Sequence, residues 1–119
     1  MKQFINSVGF ALNGIRISLK NERNFKIHFV LFLIAILFGF LLSITVLEWI
    51  VILLTSALVL GMEAINSALE KLCDHVTPDQ HSLIKSVKDM AAGAVLIAAL
   101  IALIIGGFIF IPPIYQLLF

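Results

Sequence analysis

Cysteine is nearly missing from this chain: Cys73 is the only one, so no intrachain disulfide can form. The three histidines, His28, His75 and His81, lack the spacing of a zinc site. Charge is scarce as well, at 13% of residues with a net of +1, and no basic tract with interleaved aromatics offers a phosphate-backbone footprint. Nucleic acid is excluded as a partner. Neither a GxxxxGK loop nor a GxGxxG turn occurs, so the glycine cradles of soluble nucleotide-binding folds are absent. Residues 1 to 24 hold no uninterrupted apolar core, because Asn6, Asn13, Arg16 and Lys20 divide them. A cleaved signal is not expected there, and the N-terminus should persist in the mature protein.

What is abundant is hydrocarbon. Of 119 residues, 61% are hydrophobic, against roughly 45 to 50% in soluble domains, and the mean hydropathy is +1.13. An integral membrane protein of a single small domain, all-α, is the class that fits. Phe4, Val8, Ala11, Leu12, Ile15 and Leu19 recur at steps of three and four, with the polar residues largely off that stripe. This predicts an amphipathic helix at the membrane surface, over about residues 1–22. "KNERNFKIH" reads as a short polar connector, and a first span follows over about 27–47, broken only by Gly39, Ser43 and Thr45. A second span begins near Trp49, a residue favoured at headgroup level, and runs to about residue 72. Thr77, Pro78 and Gln80 form a helix-start signature before a third span over about 86–111. In that span Ala94, Ala98, Ala102 and Gly106 fall four apart, either as a ridge for close helix packing or as ordinary membrane-helix composition.

All eight Lys and Arg fall on one side of this three-span arrangement, while the opposite loop carries only Glu48. The N-terminus and the loop between spans two and three are therefore expected in the cytoplasm.

The polar load sits in "EAINSALEKLCD". At about 100° per residue, Glu63, Glu70 and Asp74 fall within about 40° of arc, and Asn66 lies about 60° to one side. Glu63 is still at membrane depth, where an ionisable group is expensive and by default functional; its alternative is a carboxylate held neutral by interhelical hydrogen bonds. Glu70 and Asp74 reach the interface. Glu22 ends the surface helix, and Lys88 with Asp89 opens the third span at the same interface. Cys73 reads as packing. These residues alone describe a small acidic site facing the cytoplasm, open to an enzyme or to a proton- or cation-coupled carrier. A carrier of the small multidrug type would have four spans and no Lys-Asp pair at its mouth, and a non-catalytic assembly subunit would leave the acidic stripe unexplained.

The pattern E-x-I-N-S-A-L-E-x-x-C-D, with "KDMAAGAVLIA" fourteen residues beyond its Asp, resembles the bacterial diacylglycerol kinase and undecaprenol kinase family of small membrane lipid kinases. The likeness runs from "SVGFALNGIR" through "NERNFKIH" to the third span and leaves "IPPIYQLLF" outside. It implies a homotrimer of three-span subunits, in a bacterial inner membrane, that transfers the γ-phosphate of ATP with Mg²⁺ to a lipid alcohol. By position, Glu63 matches the proposed catalytic base, and Glu22 and Glu70 match metal-binding carboxylates. Asn66, Asp74, Asp79, His81, Lys88 and Asp89 match the nucleotide site or its support. Phe10 and Gln3 stand where relatives can have Tyr and Arg, so contacts to the adenine end differ. "NERNFKIH" resembles the undecaprenol kinase branch, which makes undecaprenol the expected acceptor and diacylglycerol the alternative.

Overall fold

In the computed structural model the described residues, 1–76 and 81–119, form four helices in chain order: α1 Lys2–Asn21, α2 Arg23–Leu41, α3 Val46–Val76 and α4 Ser82–Leu118. Helices α2, α3 and α4 are each long and apolar enough to cross a membrane. None of the residues of α1 is buried: Phe4, Ile5, Val8, Leu12 and Ile15 all lie open on it. An apolar stripe left uncovered by protein is what a helix resting on a bilayer surface requires.

The stretch expected as a connector is mostly helix. Only Glu22 leaves helical geometry, with φ −99° and ψ 112°. Its N–H donates to the Ser18 carbonyl at 3.0 Å, and its own carbonyl accepts from the Lys26 N–H at 3.2 Å, so both helices keep their bonding across the corner. The polarity of Arg23 to His28 reports a location near headgroups; with no Gly or Pro among them, nothing in that run breaks a helix.

The first span also stops earlier than its apolar run. Leu41 ends α2, and Ser43 adopts a left-handed φ of 50°. The Ile44 N–H donates to the Gly39 carbonyl at 3.2 Å and the Ser43 N–H to the Phe40 carbonyl at 3.3 Å, a Schellman ending that closes two orphan carbonyls. Helix α3 then opens on a capping box: the Glu48 N–H donates to Thr45 Oγ1 at 3.3 Å, and the Glu48 carboxylate accepts from the Thr45 N–H at 2.7 Å and its hydroxyl at 2.8 Å. Nineteen residues in α2 rise about 28 Å, which still meets a hydrocarbon core of about 30 Å.

The interior is built mainly where α3 meets α4, with α2 against α3 second. On α3 the buried residues Ile52, Val59, Glu63, Asn66, Ser67 and Cys73 follow one stripe. Val95, Ala98 and Ile109 are their counterparts on α4. Of the small-residue series, Ala98 is buried, Ala102 and Gly106 line a cleft, and Ala94 is open. The series is thus divided between packing and an open face. The start signature at Thr77, Pro78 and Gln80 lies outside the described residues; α4 is capped by His81, whose Nδ1 accepts from the Leu83 N–H at 3.3 Å. At the far end α4 runs on through Pro112 and Pro113 to Leu118, well past residue 111. Membrane helices tolerate proline where neighbouring groups absorb the lost hydrogen bond.

Candidate active site

Helix α3 carries the polar stripe into the interior. Glu63 is 2% exposed, Asn66 and Ser67 are 5% exposed, and all three share the buried face with Val59 and Cys73. A carboxylate so enclosed must be either protonated or engaged by a partner. Among the described residues, His28, Glu70 and Glu22 are ionisable groups that act on it electrostatically. The neighbouring asparagine donates from Nδ2 to Glu70 Oε1 at 3.4 Å, while its own Oδ1 is buried with no hydrogen-bond partner.

Two ion pairs tie other helices to this stretch of α3. Lys71 Nζ meets Glu22 Oε1 at 2.5 Å, which docks the α1–α2 corner beside Glu70. Lys88 Nζ meets Asp74 Oδ1 at 2.6 Å and joins the start of α4 to the next turn of α3. Within α4, Lys85 pairs with Asp89. The sequence-derived candidates Glu22, Glu63, Asn66, Glu70, Asp74 and Lys88 are therefore gathered at one end of the bundle, with Asp89 on the adjoining turn. His81 stands at the same end but serves α4 as its cap. Phe10 is 77% exposed on α1 and is not brought to the group within one chain. Asp79 lies outside the described residues.

Two participants were not singled out by the sequence pattern. Lys71 clasps Glu22 through a contact between residues far apart in the chain, which no local pattern signals. His28, half-buried, lines an apolar cleft of about 400 Å³ between α2, α3 and α4. Among the described lining residues it is the only ionisable one. Its position between a polar connector and an apolar run was the available signal.

The donor set can be tested against a divalent cation. No group of three His, Cys, Asp or Glu converges among the described residues. Mg²⁺ is ordinarily held by one or two carboxylates with phosphate oxygens and water completing six positions. Glu70, which accepts from Asn66 Nδ2, and Glu22, paired with Lys71 of the adjoining position, are the two hard carboxylates that such a site would draw on.

Comparison with known proteins gives the same direction. Residues 9–110 match the family described as prokaryotic diacylglycerol kinase. The chain is 37% identical over 112 residues to an undecaprenol kinase of Bacillus subtilis (strain 168), covering 94% of this chain and 91% of that protein. It is 39% identical over 113 residues to a diacylglycerol kinase of Synechocystis, covering 94% of this chain and 65% of that one. With a diacylglycerol kinase of Haemophilus influenzae the identity is 32% over 111 residues, 92% of this chain and 94% of that protein.

Proposed function

That this chain belongs to the prokaryotic diacylglycerol kinase family, and is a lipid kinase of the membrane, is the premise from which we propose its specific reaction: phosphorylation of undecaprenol by ATP at the cytoplasmic face of a bacterial membrane. The observation that carries the choice of acceptor is the 37% identity to an undecaprenol kinase over nearly the full length of both chains, against 32% to a diacylglycerol kinase matched as completely. Diacylglycerol is the second reading, favoured by the 39% identity to the Synechocystis protein.

The chemistry asks for little covalent machinery. Phosphoryl transfer depends on positioning and on neutralising charge, with a group to take the acceptor's proton. In this proposal the whole chain is one kinase domain, and Glu63 accepts the hydroxyl proton as the lipid oxygen bonds to the γ-phosphorus and the bond to ADP breaks. Its depth on α3 suits an acceptor that presents its hydroxyl from the bilayer. One or two turns nearer the interface, Glu70 and Glu22 would hold Mg²⁺, with Asn66 orienting Glu70. Bound there, the cation would offset charge on the β- and γ-phosphates. Lys88, held by Asp74, supplies a positive side chain for the phosphates, and Asp79, His81, Asp89 and Phe10 belong to the nucleotide side. The cytoplasmic orientation is supported by the one-sided placement of Lys and Arg.

The test is a competition assay. Purified protein in bilayers with MgATP is offered undecaprenol, diacylglycerol and ceramide together, and phospholipid products are quantified. Undecaprenyl phosphate should dominate. Phosphatidic acid as the main product would replace undecaprenol with the second reading.

A further inference from the structure

The cleft between α2, α3 and α4 has a direction. On α4 its lining runs from Ala99 to Ile114, about 22 Å along the helix axis, and on α2 it runs from His28 to Phe38. Because α2 and α4 run opposite to α3, His28, Val59 and Ala99 share one end, which is also the end of the acidic group. Val59 lies one turn from Glu63 on the same buried stripe. The walls are apolar save for His28, Thr55 and Ser56, and the Thr55 hydroxyl already donates to the Val51 carbonyl at 2.6 Å.

A space of this shape suits a thin occupant. A helix about 10 Å across and of the same length would need on the order of 1,700 Å³. The cleft holds about 400 Å³. A single hydrocarbon chain fits that narrow space, and the chain of a lipid alcohol ends in one hydroxyl that needs a hydrogen-bond partner when it leaves water.

The geometry points to His28 as the residue that orients the acceptor hydroxyl beside Glu63, with the hydroxyl-proximal part of the acceptor's hydrocarbon chain lying in the α2–α3–α4 cleft. This rests on the lipid-kinase reading above. The imidazole supplies one donor and one acceptor, enough to hold a hydroxyl while leaving its proton directed at the Glu63 carboxylate. A group that acts only on the acceptor should leave the nucleotide side unaffected.

Initial rates with MgATP and two prenols of unequal length, undecaprenol and farnesol, test both halves. His28→Phe should lower kcat/KM for the acceptor by about 10²-fold while the KM for MgATP stays within about twofold, and His28→Gln, which keeps a hydrogen-bonding head, should lose about tenfold. Gly106→Val narrows the cleft away from the acidic group and should depress the long acceptor at least about fivefold more than the short one. His28→Phe and His28→Gln both within about threefold of the parent for the acceptor would overturn the assignment, as would an unchanged long-to-short ratio in Gly106→Val. If the parent protein itself prefers diacylglycerol, the undecaprenol reading fails by that result alone. The His28 comparison is then made with long- and short-chain diacylglycerols and keeps the same two outcomes.

Discussion

A buried carbonyl oxygen without a donor costs about 1–3 kcal/mol, and Asn66 carries that cost one turn from Glu70. The expense is understandable if the oxygen is reserved for a ligand. Asn66→Leu removes both the orphan and the amide bond to Glu70, and should leave stability unchanged or raise it by about 1 kcal/mol. The same substitution should lower kcat/KM for MgATP by about tenfold or more. Denaturation in detergent and nucleotide-dependent kinetics, measured on one preparation, check the pair. A purely structural asparagine would lose stability and leave nucleotide use alone. The clasp from Lys71 to Glu22 is of another kind: with the lysine 56% exposed, its contribution to stability is small, and its use is to hold the corner against α3.

At the level of elements, each helix end has a separate cause. Ser43 adopts the left-handed conformation usually given to glycine, at a cost of about 1 kcal/mol, so Ser43→Gly should stabilise the α2–α3 turn by about that amount in thermal or denaturant unfolding. Gly39 has the opposite requirement. A Cβ there would come within 2.6 Å and 2.8 Å of the Trp49 ring, which also packs on Phe40 at a centroid distance of 4.8 Å. Gly39→Ala should therefore displace the indole, and because Trp49 is the only tryptophan, its fluorescence maximum and quenching report the shift directly. The number and order of the helices were legible in hydrophobic periodicity, and the polar stripe of α3 was legible from 3.6-residue geometry. The corner at Ser43 was not, since serine gives no left-handed signal and Thr45 to Glu48 lies within an apolar run. The pairings of Lys71 with Glu22 and Lys88 with Asp74 escape periodicity because they join separate helices.

Taken as a whole, one chain leaves most of its apolar surface uncovered: only 11% to 17% of each span's most hydrophobic window is buried. Lipid or other subunits must cover the rest, and the homotrimer that the family resemblance implies is one arrangement that would do so; Phe10 is among the uncovered side chains. If sites are shared between subunits, co-assembling inactive Glu63→Gln and Glu22→Ala chains should restore part of the activity. None restored in a verified mixed assembly would favour sites built from one chain. The molecule is also divided by depth, with an apolar cleft and an enclosed Glu63 towards the bilayer, and Glu70 among ion-paired groups towards water. The proposed division of roles, Glu63 as proton acceptor for the lipid and Glu70 as part of a cation site for ATP two turns along the same helix, is tested by a magnesium titration of initial rates on assembled Glu63→Gln and Glu70→Gln proteins. Glu63→Gln should lower kcat by about 10² or more with little change in magnesium dependence, and Glu70→Gln should raise the magnesium requirement and weaken MgATP binding. A Glu63→Gln protein with near-parental kcat at saturating magnesium and lipid would contradict it.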